Sequence, residues 1–355
     1  MTLPARRGSF RAPQDADRPS QRNDLVIQAP TKPFALAIDP VRPPPGLERA
    51  VYAIGNFDGV HRGHAAVIAR TKALAAARGA PAAALTFEPH PADYFAGRPV
   101  VFRLTPLPIK ARIFQALGLT GAAALTFDAA LAGLTAEEFV DQALLARLSV
   151  GAVVVGGDFH FGKARGGTPD FLVRIGAERG FAVEVIDKVE AAIDGRAEVV
   201  SSSAIRRALE RGDVEAAARG LGRDYLVAGT VGHGQRLGRE LGVPTANLAL
   251  EPTNRLAFGV YAVKAAVGGK RLYGGVASFG IRPTVNSGAP LLEVHLFDFS
   301  GDLYGQQLEV AFLARLREER KFASLDSLKA AMADDMAKAR AIVAARKLGD
   351  SGQII

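Results

Sequence analysis

Two imidazoles three residues apart, His61 and His64, close a glycine-rich run. Residues 55–64 read Gly55-Asn56-Phe57-Asp58-Gly59-Val60-His61-Arg62-Gly63-His64. The apolar run Val51-Tyr52-Ala53-Ile54 leads in as a buried strand, and the Ala, Val and Ile residues after His64 read as a helix. The run is therefore a strand–turn–helix junction with both histidines on the first turn of the helix. Free N–H groups and the positive end of the helix dipole favour a phosphate at such a place. The histidines add two donors, and Gly63 lets the backbone come close to the ligand. Gly55, Asn56, Phe57, Asp58, Gly59 and Gly63 are the expected nucleotide contacts of this turn. The bland alternative is a tight turn before a surface helix.

Three further segments carry related chemistry. Ser201-Ser202-Ser203-Ala204-Ile205-Arg206 opens a helix after a strand, so its hydroxyls can cap the helix or bind phosphate oxygens, with Arg206 as a bidentate donor. Read alone it is equally an N-cap plus a surface arginine. Gly156-Gly157-Asp158-Phe159-His160-Phe161-Gly162 is a turn carrying an acid and two aromatics, followed by Lys163 and Arg165. Asp158 could accept from a ribose hydroxyl or an adenine amine and Phe159 could stack on a ring; a structural turn with core phenylalanines is the alternative. Thr86-Phe87-Glu88-Pro89-His90-Pro91 offers His90, although its prolines could simply shape a loop. Together the segments suggest a triphosphate site in which His61 and His64 stabilise charge building on the α-phosphate during in-line attack. No acidic metal cluster or lysine nucleophile is apparent, which favours direct displacement of pyrophosphate.

A second constellation follows. Residues 229–248 include Gly229, Gly232, Gly234, Arg236, Gly238 and Arg239 before Pro244-Thr245-Ala246-Asn247. The first half suits a loop folding over phosphates, and it is not a Walker loop because no Gly-Lys-Ser/Thr follows the spacing. Thr245 and Asn247, two apart in an extended segment, point to one face. Their oxygens could hold Mg²⁺ against phosphate. A solvated hairpin loop is the alternative. Glu293, in Leu291-Leu292-Glu293-Val294-His295-Leu296-Phe297, is an acid among apolar neighbours. That makes it a candidate general base for a hydroxyl nucleophile, or else part of an exposed edge-strand face.

The elements that must position these residues fall into two textures. From 50 to about 210, apolar strand candidates (51–55, 82–87, 122–127, 152–156, 182–187, 196–200) alternate with helical stretches near 64–78, 107–117, 135–148 and 168–179. Such alternation means a mostly parallel sheet covered on both faces, with ligands beyond the carboxyl ends of its strands. From 225 to 315, short β-rich runs at 225–232, 259–266, 271–278, 291–297 and 307–313 read as an antiparallel barrel. A helix from about 324 to 346 follows, with Ser324 as N-cap and Leu328, Met332, Met336, Ala339 and Val343 along one face. The expected boundaries are a disordered or loosely structured tail over 1–47, domains over 48–210 and 225–346, a linker over 211–224 and a flexible end over 347–355.

Composition narrows the classes. The chain has 355 residues, enough for two cores. It has no cysteine, which excludes disulfides and thiolate chemistry and fits a cytoplasmic setting. No charge-free stretch of about eighteen apolar residues occurs, so no membrane span is expected. Of the net charge of +8, residues 1–45 contribute +3. The remainder suits polyanionic small ligands; without tryptophan or a basic stripe interleaved with aromatics, no nucleic-acid partner is expected.

With these residues in hand, the chain resembles the bacterial bifunctional riboflavin kinase/FMN adenylyltransferases over roughly residues 48–345. Gly55–His64, Thr86–Pro91, Gly156–Gly167 and Ser201–Arg206 are similar to the adenylyltransferase half. Gly229–Leu248, Gly280–Thr284, Glu293 and Glu318–Phe322 are similar to the kinase half, and the motifs occur in the family's order. The resemblance implies an α/β fold. Its parts would be a nucleotidyltransferase-type, Rossmann-like parallel sheet, then a six-stranded antiparallel barrel of the riboflavin kinase type with a terminal helix. It implies phosphorylation of riboflavin to FMN with ATP and Mg²⁺, Glu293 acting as base. FMN then attacks the α-phosphate of a second ATP, giving FAD and pyrophosphate, so FMN and FAD are products rather than prosthetic groups. By the same resemblance His61, His64, Ser202, Ser203 and Arg206 contact phosphate. Asp158, with Phe159 and Arg165 in its loop, contacts the nucleotide. Gly234, Arg239 and Pro244 flank the kinase nucleotide, and Thr245 and Asn247 hold Mg²⁺–ATP. A monomer or weak homo-oligomer without membrane attachment is expected. Ala277-Ser278-Phe279, Gly157 and Val243 depart from the residues common at those positions.

Overall fold

The computed structural model describes residues 34–192, 197–233, 242–269, 271–281 and 290–346. The chain forms two compact units. The first takes the residues up to Val100 together with Leu107–Glu190; the second takes Val101–Pro106 and the residues from Ala191 onward.

The first unit is built on a six-stranded parallel sheet. Its strands are β1 (Ala35–Ile38), β2 (Val51–Ile54), β3 (Ala82–Glu88), β4 (Gly121–Thr126), β5 (Ala152–Gly156) and β6 (Ala182–Ile186), in the order β1-β4-β3-β2-β5-β6. The inner strands are mostly apolar because helices cover both faces, with polar residues toward the carboxyl ends of β3 and β4. Tyr52, Leu85, Leu125, Val153 and Val155 are fully buried. Helices α1 (Arg62–Ala77), α2 (Pro91–Ala96), α3 (Leu107–Ala116) and α6 (Pro169–Arg179), with the short α4 (Ala129–Gly133) and α5 (Ala136–Glu138), fill the connections. Thr168 caps α6, Pro169 stands at its first position, and Gly180 ends it in the left-handed region. The stretch expected as one helix over 135–148 begins with a Thr135/Glu138 capping box and continues as a π-helix over Phe139–Arg147.

Two expectations change here. The span 1–47 reads as a tail, yet Ala35–Ile38 is the sheet's edge strand, paired with β4 from Ala35↔Gly121 to Ile38↔Ala124. Asp39 fastens it by accepting the Thr126 N–H at 2.7 Å and the Thr126 hydroxyl. Pro40 follows this strand rather than interrupting it. The run 196–200 does not join the parallel sheet: β7 (Glu190–Ala192) and β8 (Ala197–Val199) form a separate two-stranded ribbon. The sequence Ala197-Glu198-Val199 alternates, which suits a ribbon better than an inner parallel strand.

The second unit is a closed barrel in the order β10-β13-β12-β11-β14-β9. Its strands are β9 (Tyr225–Gly232), β10 (Ala246–Ala249), β11 (Gly259–Val267), β12 (Arg271–Ile281), β13 (Pro290–Leu296) and β14 (Gln307–Arg317). Alternate residues fill the interior: Leu248, Tyr261, Val263, Ala277, Phe279, Leu292, Val294, Val310 and Phe312 are buried in one core. That core also takes in α7 (Ser202–Glu210), α8 (Val214–Leu221) and the segment carrying Phe102 and Leu104. The sequence places a domain end at 210 and a linker over 211–224. Packing instead assigns both helices to the barrel unit, because their apolar faces are covered there.

The C-terminal helix, Leu325–Ala345, starts at Ser324 with a reciprocal cap to Ser327. Its buried line is Ala331, Asp335, Ala339 and Val343; of the apolar stripe read in the sequence, Ala339 and Val343 are buried, Met336 packs beside them, and Leu328 and Met332 are half-buried. Asp335 belongs to that line because Arg317, at the end of β14, reaches both of its oxygens at 2.8–3.1 Å. No helix among the described residues is long and apolar enough to cross a membrane.

Candidate functional site

The sheet order fixes where a ligand can sit in the first unit. From β2 the chain steps one way to β3 and β4, then returns to place β5 on the other side of β2. Crossover connections leave the carboxyl ends of β2 and β5 on opposite sides, opening a crevice at this reversal. The turn Gly55–His64 leaves β2 and the turn Gly156–Gly162 leaves β5, so the two motifs flank that crevice.

In the first turn His61 is the N-cap of α1, one residue earlier than expected, and His64 is the third helical residue. His61 Nδ1 accepts the His64 N–H at 3.3 Å. The His61 ring therefore uses one nitrogen inside the protein, and in its neutral form carries its proton on Nε2. One of the N–H groups expected for phosphate is thereby used within the chain. The two rings stack at 3.6 Å between centroids, 15° apart in plane. The backbone enters the left-handed region at Phe57 (φ 49°), Gly59 (φ 90°) and Val60 (φ 40°). For a β-branched residue such as Val60 this is an outlier that the surroundings must enforce. Phe57 is 1% exposed, so its ring belongs to the core.

In the second turn Asp158 is exposed and lies 3.8 Å from Lys188. Phe159 stacks on Phe161 at 5.3 Å, so the core reading accounts for much of its surface. His160 Nδ1 donates to the Asp158 carbonyl at 2.9 Å and shapes the turn. Phe161 and Gly167 pair as an isolated bridge that closes the loop. Arg165 is exposed within it at φ 58°. His90 caps α2, accepting the Ala92 N–H at Nδ1, which is the loop-shaping alternative.

In the second unit Ser201 caps α7 through its hydroxyl to the Ala204 N–H, leaving Ser202 and Ser203 as the first helical residues. Arg206 Nε donates to the Phe102 carbonyl at 2.8 Å.

The barrel presents its own row of polar groups. Strand β13 lies between β10 and β12, with Glu293 opposite Asn247 on one side and Ser278 on the other. Gly232 on β9 is opposite Asn247 in turn. Leu292 and Val294 point into the barrel, so Glu293, Asn247 and Ser278 share its outer face. The apolar neighbours that flank Glu293 in the sequence are thus on the opposite face from it.

Asn247 is buried, and among the described residues its Oδ1 has no hydrogen-bond partner. A buried oxygen aimed at no donor fits a hard cation. Thr245 stands one residue before β10, and the carbonyl of Pro244 is pinned by His295 Nδ1 at 2.8 Å. Glu319 extends the row: a side chain at Gly280 would collide with its carboxylate. Burial raises the Glu319 pKa, Arg317 partly opposes this, and Glu293 raises it further. Among the departures, Ser278 sits beside Glu293, Val243 is buried, and Gly157 gives its N–H to the Ile186 carbonyl. Gly234, Arg239 and residues 282–284 lie outside the described residues.

These two folds and sites define a protein that joins a nucleotidyltransferase unit to a kinase barrel. The FAD synthetase family model matches residues 44–204 and the riboflavin kinase model matches residues 221–343. The bifunctional riboflavin kinase/FMN adenylyltransferase of Pseudomonas fluorescens is 45% identical over 295 residues, covering 83% of this chain and 93% of that protein. Its counterpart in Escherichia coli (strain K12) is 39% identical, covering 82% and 92%. A crystal structure described as a macrolide-efflux protein from Streptococcus pneumoniae aligns with a TM-score of 0.72 at 30% identity, covering 82% of this chain and 94% of that one. The chain belongs to the bifunctional riboflavin kinase/FMN adenylyltransferase family.

Proposed function

We propose that the two units perform the family's two reactions with the residues described above. In the barrel, Glu293 takes the proton of the riboflavin primary hydroxyl as its oxygen attacks the γ-phosphorus of ATP, and ADP leaves. Thr245 and Asn247 would hold Mg²⁺, which when bound neutralises phosphate charge. Gly234, Arg239 and Pro244 belong to the loop over that nucleotide. In the sheet unit, an FMN phosphate oxygen attacks the α-phosphorus of ATP, the bond to the bridging oxygen breaks, and pyrophosphate departs. Gly55, Asn56, Phe57, Asp58, Gly59 and Gly63 approach the nucleotide chiefly through backbone, and His61 and His64 meet the developing charge. Asp158, Phe159 and Arg165 are assigned to the nucleoside side. Ser202, Ser203 and Arg206 are assigned as further phosphate contacts on their matching motif.

The observation that carries the kinase half is the row Asn247–Glu293–Ser278 with its buried, unpartnered amide oxygen. For the adenylyl half it is the stacked histidine pair at the strand-order reversal. We place the protein in the cytoplasm as a monomer or weak homo-oligomer that binds neither nucleic acid nor membrane; the lack of cysteine and the nucleotide chemistry support this. Purified protein given riboflavin, ATP and Mg²⁺ is expected to form FMN and then FAD, separated by chromatography, and to stop on chelation. Well-folded protein that makes neither product would overturn the reading.

A further inference from the structure

We infer that Lys110 is a positioning residue for adenylyl transfer: from α3 it locks the strained turn that presents His61 and His64. The inference rests on the reading of Gly55–His64 as the adenylyl-transfer turn. Lys110 is 1% exposed. Its ammonium meets three acceptors for its three donors: Asn56 O at 2.9 Å, Thr86 Oγ1 at 3.1 Å and Glu88 Oε1 at 2.8 Å. Thr86 itself donates to Asn56 O at 3.1 Å. The carbonyl immediately before the left-handed Phe57 is thus held from two sides.

One helical turn further along α3, Phe114 packs edge-on against Phe57 at 5.3 Å, and Phe57 packs edge-on against His64 at 5.1 Å. The same helix face therefore grips the turn's backbone through Lys110 and its buried ring through Phe114, and the ring contact continues to His64. Burying an ammonium is expensive, and an apolar side chain of similar length would serve packing alone as well or better. A lysine here has a reason if the Asn56 carbonyl must be held in a conformation that Phe57 and Val60 would otherwise leave. Glu88 is partly exposed, so it can rehydrate when Lys110 is removed.

The test uses the full chain, in which riboflavin phosphorylation is an internal control. Lys110→Met is expected to lower kcat for FAD formation from FMN about 10- to 100-fold, the cost of misplacing a positioned group. KM for ATP should stay within about two-fold and FMN formation from riboflavin should be unaltered. Thr86→Val, isosteric and gentler, should lower the same kcat about 2- to 10-fold and decides the matter if Lys110→Met does not fold. Because the chain has no cysteine, Lys110→Cys can be alkylated uniquely in denaturant to aminoethylcysteine, and refolding should restore kcat. Unaltered kcat in folded Lys110→Met and Thr86→Val, or loss of both activities in parallel with thermal stability, overturns the inference. A His61→Ala/His64→Ala variant separates the two claims. If it still makes FAD, the reading of the turn fails; if it does not while Lys110→Met does, only the role of Lys110 fails.

Discussion

The two units place their chemistry on different parts of the backbone. In the parallel-sheet unit the histidines proposed for adenylyl transfer stand on a turn beyond a strand end, and that turn, after β2, departs from ordinary backbone at Phe57, Gly59 and Val60. In the barrel unit they stand on the strands, where Glu293, Asn247 and Ser278 are aligned by register across β10, β13 and β12. A turn needs local props to keep its geometry, whereas a register is maintained by the whole ladder. The sheet unit should therefore be sensitive to substitutions that loosen a loop, and the barrel to those that loosen the anchoring of its strands.

The largest stability effect is expected where an anchor of the barrel carries charge. Asp335→Ala would leave Arg317 largely buried without its partner and should cost about 2–3 kcal/mol, since stranding one member of such a pair exposes its full desolvation cost. Denaturant-induced loss of kinase activity measures it; an unchanged midpoint would mean that the C-terminal helix does not anchor β14 through this pair.

A smaller effect should follow from tightening the loop after β5. A Cβ at Gly167 would stand 2.7 Å from the Phe161 ring, which is core. Gly167→Ala should destabilise the sheet unit by about 1–3 kcal/mol, read as denaturant-induced loss of FAD formation from FMN. If FAD formation instead survived denaturant as in the parent, the loop would have room to yield.

The smallest effect concerns pH. The Glu319 carboxyl is raised above its ordinary 4.5, so keeping it ionised costs the folded state. That cost is absent below pH 4.5, develops as pH climbs through the raised value, and is complete above it. Glu319→Gln should match the parent in Tm at low pH and exceed it slightly near neutrality. A variant less stable than the parent at neutral pH would show that the carboxylate is held by attraction rather than tolerated.

Much of this was legible in the sequence, for physical reasons. Strands β2 to β5 are mostly apolar runs, and the barrel strands alternate or sit between glycine turns, so both folds can be read from pattern. β1 escapes because four residues between prolines resemble a loop until Gly121–Ala124 is available to pair with them. Helix α7 reads as the end of the first domain and α8 as a linker, because their apolar faces make sense only against the barrel core. Glu293 and Asn247 could each be picked out by type, but their adjacency to one another and to Ser278 could not, because they come from distant strands and register is a long-range property. Lys110 was the least visible of all, since a lysine in a helix reads as a solvated face, and only the meeting of α3, β3 and the first turn buries it.

The central claim is that His61 and His64 serve FAD formation alone and Glu293 serves FMN formation alone, which a crossed assay separates. His61→Ala/His64→Ala and Glu293→Gln would each be supplied with riboflavin or with FMN, plus ATP and Mg²⁺, and the flavins separated by chromatography. The histidine variant should convert riboflavin to FMN normally and lose about 10²- to 10³-fold in FAD formation. Glu293→Gln should lose about 10²- to 10⁴-fold in FMN formation yet adenylylate supplied FMN at the parent rate. If either variant impaired both reactions equally, or neither, the division of labour described here would be contradicted.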